Sequence, residues 1–197
     1  MLTDEALVAG FEHLPAFGRR GRDRARALWG ASVRIVHRPA VSPEAAVCRE
    51  DAVFPAPAAP DLRPGDTWIL PLSADPARRA DFVAALRRAA VHLRGRRDVA
   101  VAPVPEATCG PLVLWAVTAA RLLLPNPVRV AARFDVLGNH VAQTAIAFGA
   151  DTLEGPVTAE RSLPLAGVFR PTETSRPALE ALVRFAGATP EPPRSPR

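Results

Sequence analysis

Apolar residues recur along the chain in two rhythms, short continuous runs that are typical of buried strands and stripes at helical spacing. The runs predict strands over 32–37, 67–72, 98–103 and 128–134, with a last short strand or strand end over 149–153. The stripes predict helices behind Thr3 and over 19–29, 76–94, 110–124, 138–148 and 175–186. Because strands and helices alternate from residue 67 onward, the pattern indicates a parallel sheet covered by helices.

The spacing of these elements favours a (β/α) barrel over a sandwich, but the chain is short for one. A complete barrel of the TIM type usually needs about 250 residues, whereas this chain has 197 residues and five predicted strands. We therefore predict an α/β fold, a partial (β/α) barrel with about five parallel strands and N-terminal helices. It forms one domain over 1–188, with an irregular proline-rich insert at 38–65 and a disordered tail at 189–197.

Composition narrows the classes of partner. All 25 basic side chains are arginines, and 20 acids leave a net charge of +5. The arginine clusters at 19–26 and 78–97 lie far apart in sequence without interleaved aromatic residues, so we expect solvated helix faces and no nucleic acid. The longest apolar run, 111–120, is too short for a bilayer. The acidic start lacks the features of a signal peptide, so we expect a cytoplasmic protein with no membrane contact.

The most informative segment is 141–160, which reads Val-Ala-Gln-Thr-Ala-Ile-Ala-Phe-Gly-Ala-Asp-Thr-Leu-Glu-Gly-Pro-Val-Thr-Ala-Glu. It resembles the C-terminal signature of the radical S-adenosylmethionine enzymes of the futalosine route to menaquinone, and aminofutalosine synthase is the nearest member. There an Ala-Gln helix leads into Phe-Gly-Ala-Asp-Asp-Leu-Asp-Gly-Thr and a Glu-Glu pair. Weaker similarity on both sides implies that barrel strands one and five to eight are present. Strands two to four are then missing, and 49–65 stands in their place.

The resemblance also implies which chemistry is lost. The family holds an iron–sulfur cluster on Cys-x3-Cys-x2-Cys just after strand one. Here Cys48 aligns with the first ligand, but Ala52 and Pro55 occupy the next two positions, and Cys109 is distant in sequence. One thiolate cannot hold such a cluster. We therefore expect no cofactor, no metal and no radical chemistry.

Within the same segment the resemblance implies four substrate-binding residues. Asp151, Gly155 and Glu160 match the family, and Glu154 keeps an acid where the family has Asp. No residue is expected to be catalytic. The alternative interpretation is that Asp151 and Glu154 cap the following turn. For His37, at the end of strand one, a structural role is favoured over a place at the barrel mouth.

Three functional hypotheses follow. The favoured one is a cluster-less, non-catalytic relative of aminofutalosine synthase that acts as partner, scaffold or ligand-binding module in futalosine-dependent menaquinone biosynthesis. The alternative is a non-radical enzyme that acts on a futalosine-type nucleoside with Asp151, Glu154 and Glu160 as acid and base groups, and the third is a chain without a selected function. Because an open sheet leaves two unpaired edges, we expect either a covering element from 38–65 or association, as a homo-oligomer or with a pathway enzyme.

Overall fold

The computed structural model describes residues 2–40, 45–48, 53–55, 61–107, 109–158 and 174–193. The strands are β1 Ser32–His37, β2 Ala45–Cys48, β3 Val53–Pro55, β4 Thr67–Leu72, β5 Ala100–Pro105, β6 Arg129–Arg133, β7 Thr152–Gly155 and β8 Thr189–Pro190. The helices are α1 Asp4–Ala9, α2 Leu14–Trp29, α3 Arg79–His92, α4 Gly110–Leu123, α5 Phe134–Leu137, α6 Asn139–Ile146 and α7 Arg176–Phe185. None of these helices combines the length and apolar character that crossing a bilayer requires.

The strands form one mixed sheet in the order β3-β2-β4-β5-β6-β7-β1-β8. From β4 to β8 neighbouring strands are parallel, whereas β2 pairs antiparallel with both β4 and β3. The predicted α/β class is therefore confirmed, with six parallel strands instead of about five. The described strands do not close into a barrel, since β3 and β8 stand at opposite ends of the order.

Local signals place the helix ends. The Thr3 hydroxyl accepts a hydrogen bond from the backbone N–H of Ala6, and the Ser175 hydroxyl accepts one from Ala178, so both serve as N-caps. Helix α2 begins at Leu14, five residues before the predicted start, because Pro15 fits its first turn.

Two strands are shifted toward the carboxyl terminus relative to the prediction, and both shifts have local causes. Asp98 has φ 57°, a left-handed conformation that no strand tolerates, so β5 begins two residues later, at Ala100. Gly149 has φ 108°, which ends the turn after α6 before β7 can start. Residues 149–151 therefore precede β7 and do not belong to it.

The main apolar core lies on one face of the sheet. It joins strand residues such as Val33, Leu70 and Val130 to the buried sides of every helix from α1 to α7. Residues of the opposite face, which we call the inner face, form a small separate cluster of Ile69, Ala100, Ala102, Val104 and Ala131. Among the described helices, Val136 alone packs against this cluster. Helices on a single face distinguish this fold from doubly wound α/β sheets, which are covered on both faces.

The sheet is rolled around its inner face. Strands β4 and β7 are three positions apart, about 14 Å in a flat sheet, yet the Thr67 hydroxyl lies 2.7 Å from a carboxylate oxygen of Glu154. Two further contacts span the same number of strands. Arg34 of β1 reaches Asp98, just before β5, at 2.9 Å, and Arg129 of β6 reaches Glu191, just after β8, at 2.8 Å.

Both edges of the central parallel sheet are covered by the chain itself. Strand β2, from the proline-rich insert, pairs with β4, so the expectation of a covering element from 38–65 is confirmed. On the other side β8 pairs with β1. This covering removes the geometric reason to expect association through the sheet edges.

The predicted tail boundary is wrong for residues 189–191. Thr189 donates a main-chain hydrogen bond to Ala31 and Glu191 donates one to Val33, both at 2.8 Å. Proline and charge suggested disorder, but an edge strand needs only a few main-chain groups, which Thr189 and Glu191 supply on either side of Pro190. Residues 194–197 lie outside the described ranges.

Candidate functional site

Glu154 lies on the inner face near the carboxyl end of β7, the end at which barrel enzymes bind ligands. Its side chain is 2% exposed. Oxygen Oε1 accepts the hydrogen bond from Thr67, and Oε2 lies 3.8 Å from Nη1 of Arg133. Oε2 has no hydrogen-bond partner although it is buried. Glu154 is thus a buried countercharge with one unsatisfied acceptor.

Arg133 is the cation that faces Glu154, and it is completely buried. Its guanidinium also forms a bidentate pair with Asp135, at 3.0 and 2.9 Å, and donates to the Pro39 carbonyl at 2.6 Å. Arg38 reaches further across the roll and donates to the carbonyl of Gly65, ahead of β4. Together the two arginines tie the segment after β1 to β6 and to β4.

Asp151 lies at the opposite end of β7, ahead of its first residue. Its carboxylate contacts Nη2 of Arg121 and accepts a hydrogen bond from Thr152 at 3.0 Å. Arg121, 1% exposed, also donates to the carbonyls of Gly149 and Val128. Burial, together with the charges of Arg24 and Arg129, lowers the pKa of Arg121 to about 9, so it is cationic at neutral pH.

Of the four predicted substrate residues the structure describes three, and it places Asp151 and Glu154 at opposite ends of β7. Asp151 and Glu154 are three positions apart along the strand, which corresponds to about 10 Å. Neither carboxylate caps a turn in the described structure, contrary to the alternative interpretation; both face buried arginines. Gly155, with φ 153°, is required because a β-carbon there would lie 2.6 Å from the Phe134 ring. Glu160 lies outside the described residues.

The remaining candidates have structural positions. Nδ1 of His37 accepts a hydrogen bond from the backbone of Val157 at 3.1 Å, in line with its favoured role. Cys109 is the partly buried residue ahead of α4, and Cys48 contributes backbone to β2. Position 52 is outside the described ranges. Within those ranges no three His, Cys, Asp or Glu side chains are grouped to hold a metal ion.

A second charged cluster lies at the amino ends of the strands, and the sequence analysis did not predict it. Glu191 accepts hydrogen bonds from Ser32, Arg34 and Arg129, and Arg129 also stacks over the Trp29 ring with its guanidinium carbon 4.1 Å from the centroid. Burial alone would raise the pKa of Glu191, but the charges and hydrogen bonds of Arg129 and Arg34 outweigh it and lower the pKa. The available signal was the pair of arginines at positions 129 and 133, at the two ends of an otherwise apolar strand.

The charges of the roll balance each other locally. At the amino ends of the strands, the cations are Arg34, Arg121 and Arg129, and the anions that they face are Asp98, Asp151 and Glu191. At the carboxyl ends, Arg133 faces Asp135 and Glu154. Such an arrangement suits a fixed interior, because each of these four arginines lies beside at least one carboxylate. A comparison of the sequence with models of protein families finds no match, and a comparison with curated proteins finds none either.

Proposed function

We propose that this chain is a cluster-less, non-catalytic relative of the radical S-adenosylmethionine enzymes of the futalosine pathway. It serves menaquinone biosynthesis as a partner, scaffold or ligand-binding module. The observation that carries the proposal is the state of the carboxylates that the family resemblance assigns to substrate. Asp151 and Glu154 are buried and face Arg121 and Arg133, so both carboxylates already serve as partners of interior cations.

The strand order supports a partial barrel as the ancestor of the fold. The five central strands run β4-β5-β6-β7-β1. This is the order that remains when strands two to four are removed from an eight-stranded barrel, because strand eight of a closed barrel pairs with strand one. Helices on one face and a rolled sheet agree with that origin. The antiparallel strand β2 then occupies the edge that the missing strands would have covered.

One observation favours the enzymatic alternative. Oε2 of Glu154 is buried at the carboxyl end of β7 without a hydrogen-bond partner. An unsatisfied carboxylate oxygen in such a place accepts a hydrogen bond from a ligand hydroxyl or amine readily. The alternative is therefore a non-radical enzyme for a futalosine-type nucleoside, with Glu154 as the acid or base. Asp151, bound to Arg121 at the far end of the strand, does not take part.

The experiment separates these functions with purified full-length chain. Isothermal titration with a futalosine-type nucleoside, and native mass spectrometry with added aminofutalosine synthase, measure the two kinds of binding. The proposal expects at least one of them and no conversion of the nucleoside on prolonged incubation. Conversion that Glu154→Gln abolishes supports the enzymatic alternative, and the absence of both kinds of binding contradicts the proposal.

Anaerobic incubation with iron and sulfide tests the loss of the cluster. We expect no visible absorption band of an iron–sulfur cluster, because Cys48 has no cysteine partner at positions 52 and 55. An enzyme of the family that keeps all three cysteines, treated in parallel, is the positive control. A stable cluster in this chain overturns the non-radical assignment.

A further inference from the structure

Two buried side chains on the inner face each carry a hydrogen-bonding group without a partner. Nε–H of Arg38, just after β1, lacks an acceptor, and Oε2 of Glu154 lacks a donor. Both residues are more than nine-tenths buried. Val33 and Ile35 point into the main core, so the alternation along β1 places Arg38 on the inner face. Buried polar groups are nearly always hydrogen-bonded, so a donor and an acceptor left over on one face need an explanation.

The strand register makes these two side chains neighbours. Val36 of β1 pairs with Glu154, and the ladder continues past the strand, where the backbone N–H of Arg38 donates to the Gly155 carbonyl at 2.9 Å. Arg38 is two residues beyond Val36, about 7 Å along the chain. Arg38 and Glu154 are therefore diagonal neighbours on adjacent strands, a separation that two long side chains span.

Both side chains also cross the roll to the same short segment. Nη2 of Arg38 donates to the Gly65 carbonyl, and Oε1 of Glu154 accepts from the Thr67 hydroxyl at 2.7 Å. These two contacts are two residues apart along the chain, at most about 7 Å. In the described part of the chain the cation nearest to Glu154 is Arg133, at 3.8 Å from Oε2. The guanidinium of Arg38 is thus close to the carboxylate without forming an ion pair with it.

The group that completes this pair must accept a hydrogen bond from Arg38 and donate one to Glu154. Water does both, and two hydrogen bonds through one water join atoms up to about 5.6 Å apart. An anion would be repelled by the carboxylate and a cation by the guanidinium groups. A larger molecule is disfavoured because Thr67, Arg133 and Glu154 are almost fully buried. The 3.8 Å between Oε2 and Arg133 is also a separation that a shared water closes.

We infer that one buried water molecule joins Nε of Arg38 to Oε2 of Glu154. It connects the segment after β1 to β7, and the same two side chains hold the start of β4 through Gly65 and Thr67. A ligand that uses Oε2 of Glu154 then has to displace this water. The inference does not rest on the proposed function, and its tests use the chain without ligand.

The Nε–H of Arg38 reports on this water directly by nuclear magnetic resonance. In nitrogen-15-labelled chain its resonance is the one that Arg38→Met removes. We expect a rotating-frame cross-peak between this proton and water, with the sign of a long-lived bound molecule. Because an exchanging hydroxyl can relay the same signal, the measurement is repeated on Thr67→Val. The cross-peak persists in that variant if the water itself is its source.

Oxygen-17 relaxation dispersion counts the long-lived internal waters of the chain. Glu154→Leu and Arg38→Met each remove one of the two partners, so we expect a count lower by one than in the wild type. The matched control is Thr118→Val, whose buried hydroxyl already has the carbonyls of Leu114 and Phe148 as partners, and it is expected to keep the wild-type count.

Circular dichroism melting confirms that each variant is folded, and if a variant is not, the cross-peak of the wild type decides. Three results overturn the inference. They are an Nε–H resonance of Arg38 without a water cross-peak, an Nε–H that exchanges too fast to be detected, and an unchanged water count in the folded variants. Fast exchange means that the group is open to bulk solvent, and an unchanged count means that the water is held elsewhere.

Discussion

At the scale of single residues, the most informative feature is that arginines on a central strand are buried in the interior. Arg129 and Arg133 are the first and last residues of β6, and both are buried. A buried guanidinium is tolerated only when a carboxylate and carbonyl oxygens surround it. Asp151 and Glu154 therefore have a physical role that needs no substrate: they neutralise the buried arginines Arg121 and Arg133.

The pair formed by Asp151 and Arg121 gives the sharpest residue-level prediction. Asp151→Asn leaves Arg121 buried without its countercharge, and we expect a loss of about 3–5 kcal/mol in the free energy of unfolding. Urea denaturation followed by circular dichroism measures the loss. The matched control is Asp81→Asn, which breaks the exposed pair with Arg78 and is expected to leave the midpoint unchanged. Equal midpoints for the two variants contradict a structural role for Asp151.

Glu191 predicts a pH dependence of stability. Its pKa is lower in the folded protein than in the unfolded chain, where it lies near 4.3. The stabilisation from the carboxylate is therefore present above about pH 4.3 and is lost as the pH falls through the folded value. Urea unfolding at pH 7 and at pH 3 should show a large difference between wild type and Glu191→Gln at pH 7 and a smaller one at pH 3. A pH-independent difference contradicts the ion pairs with Arg34 and Arg129.

At the scale of elements, β8 shows how little chain is needed to cover a sheet edge. Thr189 and Pro190 pair with β1, and the carboxylate of the next residue, Glu191, forms an ion pair with Arg129 of β6. The short strand leaves only a short new edge exposed, which limits pairing with another chain.

Truncation tests the contribution of β8. A chain that ends at Ala188 loses two main-chain hydrogen bonds, at about 1 kcal/mol each, and the hydrogen bonds to Glu191. We expect its free energy of unfolding to fall by about 3 kcal/mol or more. A chain that ends at Pro193 keeps all of these contacts and is the matched control. Urea denaturation measures the free energy of unfolding of both chains. Equal values for the two mean that β8 does not stabilise the sheet.

At the scale of the whole molecule, the roll of the sheet is what turns distant strands into neighbours. Thr67 and Glu154 are three strands apart in the sheet order, and only curvature brings their side chains into contact. The result is a roll with helices on its outer face and charged side chains on its inner face.

A double-mutant cycle of Thr67→Val and Glu154→Gln tests that curvature. Because the two side chains share a buried hydrogen bond, we expect a coupling energy of about 0.5–3 kcal/mol between the mutations in urea unfolding. The control cycle pairs Glu154→Gln with Thr118→Val, a buried residue of α4 on the helix-covered side, and is expected to be additive. Additivity in both cycles contradicts the rolled sheet.

Periodicity alone determined the central elements: the alternation of apolar strands with helices, the parallel sheet and most helices, because local hydrophobic pattern and helix-start residues encode them. The tertiary structure alone decided what the polar residues do. Sequence similarity grouped Asp151 with Glu154, but the start of β7 at Thr152 places them at opposite ends of a strand. Their true partners, Arg121 and Arg133, lie 30 and 21 positions away along the chain. Pairing over such separations depends on strand register and sheet curvature, which no local pattern carries.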